Sequence, residues 1–163
     1  ITKEIWLAFS PIKSNYFNFM IQKATELGVT RFIPIIFDRT IVRKINKERL
    51  EKIIIEATEQ SNRINIPILE KPQNLKKFLS NNLKKIDLVF TDLNTTKKKL
   101  EINKEANNPL CAIVGPEGDF TEKERELILN FKSVKSININ QNILRAETAT
   151  ISIISIIGYI LSL

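Results

Sequence analysis

The sequence predicts an α/β domain built on a mainly parallel sheet covered by helices on both faces, and three observations carry that prediction. The apolar segments Ile5–Phe9, Arg31–Phe37, Asp87–Thr91 and Leu110–Val114 are near-continuous runs rather than clean alternations, as expected of strands buried on both sides. Segments with helical spacing stand between them, the alternation that defines this class. The chain has 163 residues, 43% hydrophobic and 26% charged, which suits a single domain with one sizeable core. No internal repeat and no second domain is visible in residues 1–163.

Taken in order, Ile5-Trp6-Leu7-Ala8-Phe9 reads as a buried strand that Ser10-Pro11 ends. Asn15–Leu27 follows as a helix with Phe19, Met20, Ala24 and Leu27 expected on its inner face, and Gly28 stands where a helix-ending glycine belongs. After the strand Arg31–Phe37 comes a basic extended stretch to Lys44. Lys47–Ser61 then reads as a helix with Leu50, Ile53, Ile54 and Ala57 inward. Pro67 marks Ile66–Leu69 as a short edge piece. A short basic helix over Asn74–Lys84 precedes two strands, Asp87–Thr91 and Leu110–Val114, joined by a lysine-rich connection. Thr121 with Glu124 three residues on gives a capping-box start to a helix reaching Phe131. The strand Val134–Ile137 and a closing apolar helix, Ala146 to Leu161, complete the chain.

Composition excludes several chemistries. Histidine is absent, which removes Ser-His-Asp and Cys-His nucleophiles and the usual zinc sites; no metal is expected. The single cysteine, Cys111, lies in an apolar run and reads as a small buried hydrophobe in a reducing compartment, consistent with a cytoplasmic protein. The apolar run Ala149–Leu163 is 15 residues long, short of the roughly 20 that span a bilayer. A core or dimer-interface helix is the expected role. Net charge is +7. It permits an anionic partner such as RNA, and a general bias toward Lys, Ile and Asn explains it equally well.

The chain has only four glycines, and two of them, Gly115 and Gly118, bracket Gly-Pro-Glu-Gly after a buried strand. The carboxyl ends of strands are where open α/β sheets bind ligands, and glycine there admits positive φ or close backbone approach. No G-x-G-x-x-G and no P-loop is present, so a dinucleotide or nucleoside triphosphate is not the expected ligand. The second candidate segment is Asn138-Ile139-Asn140-Gln141-Asn142-Ile143-Leu144-Arg145. Arg145 stands at a helix N-terminus, where the macrodipole disfavours a cation. That points either to an anion or base contact, or to a salt bridge with Glu147 or Glu117.

Gly115-Pro116-Glu117-Gly118 followed by Ile143-Leu144-Arg145-Ala146-Glu147-Thr148-Ala149 resembles the RsmE family of ribosomal RNA methyltransferases, in the SPOUT superfamily. Lys23-Ala24-Thr25-Glu26-Leu27-Gly28-Val29 and Glu56-Ala57-Thr58-Glu59-Gln60-Ser61-Asn62-Arg63 match in the same order, so the resemblance covers nearly the whole chain. It implies a Rossmann-like sheet with a C-terminal deep trefoil knot, a homodimer, and methylation of a uridine N3 in 16S ribosomal RNA of the small subunit. The family's N-terminal PUA-like RNA-binding domain has no counterpart here, and with the start at Ile1 this reads as part of a longer chain. The implied S-adenosylmethionine site is built by three loops, Thr91-Asp92-Leu93, Val114 to Gly118 and Ile137 to Leu144, and comprises Thr91, Leu93, Val114, Gly115, Glu117, Gly118, Ile139, Gln141, Ile143, Leu144 and Thr148. Adenine is expected among Leu93, Ile139, Ile143 and Leu144.

Arg145 is the expected catalytic cation, stabilising charge that develops on the uracil carbonyls. Glu147 or Glu117 serves as base or orients the arginine. Lys23, Arg39 and Arg63 are the expected RNA contacts, with Arg31, Arg43 and Lys44 as further candidates. Two positions depart from the family pattern. Asp119 replaces a second glycine, and Asn140 stands where the cofactor loop has glycine, a residue expected to take up left-handed backbone. Two rivals remain: a SPOUT ribose 2′-O-methyltransferase, which carries Asn in place of Pro116, and a non-catalytic RNA-binding or ribosome-assembly protein.

Overall fold

The computed structural model describes residues 3–163. The elements run β1 (Ile5–Phe9), α1 (Ser14–Glu26), β2 (Val29–Ile36), α2 (Lys47–Gln60), β3 (Ile68–Leu69), β4 (Gln73–Asn74), α3 (Leu75–Asn81), β5 (Asp87–Thr91), β6 (Leu110–Val114), α4 (Glu122–Leu129), β7 (Val134–Ile137) and α5 (Ala146–Ser162). The sheet has the order β3-β2-β1-β6-β5-β7, with β4 also on β2, and every strand pair is parallel. The expected fold class is the observed one: a mainly parallel α/β sheet.

The apolar runs are buried on both faces for a visible reason. Leu7, Phe9, Val89, Ala112 and Val114 face one core with Met20, Ile21, Leu50, Ile54, Ile153 and Ile157, from α1, α2 and α5. Ala8, Leu88, Phe90, Cys111 and Ile113 face a second core with Phe78, Leu79, Ile128 and Phe131, in and beside α3 and α4. Every residue of β6 is buried, because β1 and β5 flank it and helices cover both its sides.

The edge position expected for the Ile66–Leu69 segment holds, since β3 ends the sheet. Pro34 lies inside β2 all the same. On that flank β3 pairs only as far as Phe32 and β4 starts at Ile35, so the residue that cannot donate sits where one neighbour gives way to the next.

The inner face of α1 differs from the expected one. Phe17, Met20, Ile21, Ala24 and Thr25 are buried, whereas Phe19 and Leu27 are exposed. The short basic helix stops at Asn81 rather than Lys84, because Asn82 turns its side-chain amide back onto the Phe78 carbonyl and Lys84 takes positive φ. Among the described residues no helix is long and apolar enough to cross a membrane.

Candidate functional site

Three segments leaving the carboxyl ends of β5, β6 and β7 converge on a cleft of about 860 Å³. They are Thr91–Asn94, Val114–Phe120 and the stretch from Asn138 into the first turn of α5, and Lys13 and Tyr16 at the start of α1 close the remaining side. This volume lies in the range of small-molecule sites, about 300–1,000 Å³.

The glycine turn is built differently from the expectation. Neither Gly115 nor Gly118 has positive φ. A Cβ on Gly115 would stand 2.9 Å from Cζ of Phe120, a ring packed edge-on to Phe37 and Phe90 at 5.2 Å from each. Close approach to an aromatic ring, not backbone handedness, is therefore what requires glycine at 115. The left-handed residue is Asp119, at φ 67°. Its N–H donates to the Pro116 carbonyl (2.9 Å), and its carboxylate accepts from the Phe120 amide (2.8 Å). Aspartate tolerates this region better than most residues because its short side chain bonds locally. The companion expectation for Asn140 is corrected, since the only non-glycine residues with positive φ among those described are Asn62, Lys84 and Asp119.

The turn is braced from outside. Arg39 donates to the carbonyls of Gly118 (2.8 Å) and Phe120 (3.4 Å). The capping box of α4 is present, Thr121 accepting from the Glu124 amide while Glu124 accepts from the Thr121 amide. The other Glu124 carboxylate oxygen accepts from the Asp38 amide (3.0 Å), which ties the segment after β2 to the same turn.

After β5, the buried carboxylate of Asp92 accepts from the Arg125 guanidinium at 2.6 Å and from the Asn94 amide at 3.0 Å. That bond holds the Arg125 guanidinium above its ordinary pKa. Both residues line the cleft; Asp92 belongs to the expected loop Thr91-Asp92-Leu93, whereas Arg125 did not stand among the expected site residues. Asp92, an acid at the end of an apolar strand, carried a signal; Arg125, one charge on a charged helix, carried none. Lys13 and Tyr16 were missed for a related reason, since only tertiary packing brings the start of α1 beside the start of α5.

The segment after β7 is held by side chains. The Asn138 amide donates to the Lys97 carbonyl (2.8 Å), and the Asn138 side chain donates to the carbonyls of Leu93 and Thr95. The Asn140 and Asn142 amides donate in turn to the side chains of Asn138 and Asn140, a run of Asx turns. Ile139 and Leu144 are half-buried in the cleft, while Leu93 and Ile143 leave apolar surface open, Ile143 being 87% exposed.

Of the expected cofactor residues, Thr91, Leu93, Val114, Gly115, Glu117, Gly118, Ile139, Ile143 and Leu144 line this cleft. Gln141 and Thr148 do not. Gln141 turns between its asparagine neighbours into a separate, more open depression of about 830 Å³ beside Lys98 and Ile160. On α5, Ala146, Glu147 and Ala149 line the cleft and Thr148 rotates out to solvent.

Arg145 is the N-cap of α5 and gives that helix no side-chain cap, so the amides of its first turn lack a capping acceptor. Its guanidinium lies 3.9 Å from the Glu147 carboxylate, with side-chain exposures of 69% and 12%, and 5.0 Å from the centre of the Tyr16 ring. Lys23 is outside the cleft, paired with Glu26 at 3.1 Å. Arg39 braces the turn as described. Arg63 is turned inward: its Nη1 donates to the carbonyls of Thr25 (2.9 Å) and Val29 (2.7 Å), and burial lowers its pKa. Arg63, expected at RNA, is placed by these bonds as a clamp on the α1–β2 corner.

Known proteins resemble this chain in sequence and fold. The chain is 41% identical over 150 residues to ribosomal RNA small subunit methyltransferase E of Rickettsia conorii, a match that covers 91% of this chain and 62% of that protein. Its identity to the Aquifex aeolicus protein of the same name is 36% over 143 residues, covering 85% and 60%. The chain thus spans about three-fifths of the length of these relatives. The crystal structure of the Neisseria gonorrhoeae enzyme of that name, bound to S-adenosyl methionine, superposes with a TM-score of 0.88 at 28% identity, over 97% of this chain and 66% of that one. A family model described as an RNA methyltransferase domain matches residues 1–158. With sequence and fold in agreement, the chain belongs to the RNA methyltransferase family.

Proposed function

We propose that this chain transfers the methyl group of S-adenosylmethionine to N3 of a uridine in 16S ribosomal RNA of the small subunit. The observation that carries the reading is the cleft itself, where the segments after β5, β6 and β7 meet the uncapped start of α5 and the exposed Arg145. Its residues fit the cofactor. Leu93, Ile139 and Leu144 offer an apolar bed for adenine, and the carboxylates of Glu117, Asp119 and Glu147 suit a ligand that carries a sulfonium and an ammonium. When bound, S-adenosylmethionine supplies an activated methyl group at sulfonium sulfur.

The chain's residues do the rest. Uridine N3 bears an imide proton that must leave as its lone pair forms the new bond to carbon, and negative charge develops on the flanking carbonyl oxygens. The Arg145 guanidinium and the free amides of the first turn of α5 face that charge. Glu147, 3.9 Å from Arg145, is assigned to accept the imide proton. Phe120, Arg39 and Asp119 keep the opposing wall in place, so that most of the barrier reduction comes from placement. The same reading includes the trefoil knot, supported by the Asn138 bonds to Leu93, Thr95 and Lys97. It also includes a homodimer, supported by the exposed Tyr159 on apolar α5.

Titration calorimetry tests the cofactor site. Wild type is expected to bind S-adenosylmethionine, and Gly118→Arg to abolish binding, because the new side chain would displace the brace that holds the turn, Arg39, whose Cβ lies 3.5 Å from the added Cβ. No heat with wild type refutes the reading. With small subunits as substrate, Arg145→Ala is expected to lower transfer by about 100-fold or more, and nucleoside analysis should show 3-methyluridine rather than a 2′-O-methyl nucleoside.

A further inference from the structure

We infer that Tyr16 is a positioning residue for Arg145, holding its guanidinium over the cleft; the inference rests on the methyltransferase reading above. Three observations lead there. Arg145 has no strong polar anchor: its contact with Glu147 is 3.9 Å long, and its side chain is 69% exposed. A long arginine left so free occupies many rotamers, which is a poor arrangement for a group that must meet developing charge. The Tyr16 ring lies beside it, 5.0 Å from ring centre to guanidinium carbon, within reach of a cation–π contact.

The two helices hold that pair in register. Met20, one turn after Tyr16, meets Thr150, one turn after Ala146, with Sδ accepting from the threonine hydroxyl at 3.3 Å. Phe17, next to Tyr16, is buried against Phe9 with ring centres 5.6 Å apart. The first turn of α1 is thus anchored from within while Tyr16 stays 43% exposed at the cleft wall. A ring so placed limits the guanidinium to one side of the cleft and leaves its N–H groups free to donate in plane. The phenol oxygen has no hydrogen-bond partner among the described residues, so the ring rather than the hydroxyl is the working part.

The test compares Tyr16→Phe and Tyr16→Leu in the full chain, with folding checked by circular dichroism. Tyr16→Leu is expected to lower kcat for methyl transfer about five- to tenfold, with KM for RNA and Kd for S-adenosylmethionine within about twofold of wild type. Tyr16→Phe, which keeps the ring, is expected to retain at least half of kcat. NMR gives a readout independent of activity: the Arg145 side-chain Nε–H resonance should lose its ring-current shift in Tyr16→Leu and keep it in Tyr16→Phe. Unchanged kcat in Tyr16→Leu, an unmoved Arg145 resonance, or a Tyr16→Phe variant as slow as Tyr16→Leu each overturns the positioning role. Those results leave the enzyme reading standing. A wild type that neither binds cofactor nor transfers methyl removes both.

Discussion

Single residues in the turn after β6 show how narrow the tolerance of the site is. Gly115 faces a ring that cannot retreat, since Phe120 is packed against both Phe37 and Phe90. Gly115→Ala forces a Cβ to 2.9 Å from that ring, so it is expected to cost about 1–3 kcal/mol as overpacking and to weaken cofactor binding along with it. Urea titration and calorimetry on one variant check both. Asp119, next to Phe120 in the chain, behaves in the opposite sense: its φ of 67° is one that glycine takes without strain. Gly115 and Gly118 stood out in the sequence because glycine is scarce there. The handedness they were expected to supply belongs to Asp119, because the direction of a tight turn depends on where its bonds close, and spacing does not record that.

At the scale of elements, the corner between α1 and β2 depends on a side chain from beyond α2. Arg63 donates to the carbonyls of Thr25 and Val29, the first near the end of α1 and the second at the start of β2. Arg63→Ala is expected to destabilise the fold by about 2 kcal/mol, the scale of hydrogen bonds from a charged donor, without changing the salt dependence of RNA binding. An RNA contact alone would reverse that pattern. Thermal melts and binding at two salt concentrations separate the two. The capping box at Thr121 and Glu124 was legible in the sequence and is present in the structure, because both partners lie within four residues. The Arg63 clamp spans 34 to 38 residues and left no local trace.

The whole molecule buries β6 between β1 and β5 and places Cys111 in the second core, where burial pushes its thiol above the ordinary range. The end of the chain leaves apolar surface open. On α5, Ile153, Ile154 and Ile157 enter the core while Tyr159, and Leu163 just past the helix, stay exposed at 66% and 76%. If α5 pairs two copies, sedimentation equilibrium should report about twice the 18.8 kDa of one chain, since apolar area drives such association. Tyr159→Glu, on the exposed face, should shift the population to monomer with the melting temperature of the dilute wild type. A monomeric wild type at tens of micromolar removes the dimer from the proposal.

By itself the sequence determined the fold class, nearly every element and the turn that carries the site. Apolar runs, helical spacing and the Thr121 capping signature are local, and each forms wherever the chain is folded. It also placed Arg145 beside the cleft, because a cation at a helix start stands out against the macrodipole. Tertiary structure alone decided which residues meet there. It brought Tyr16 and Lys13 across from α1, joined Asp92 to Arg125, turned Arg63 inward, and rotated Gln141 and Thr148 away. These outcomes rest on the register of α1 against α5 and on the order of strands in the sheet. Both arise from packing between segments far apart in the chain, and no local pattern encodes them.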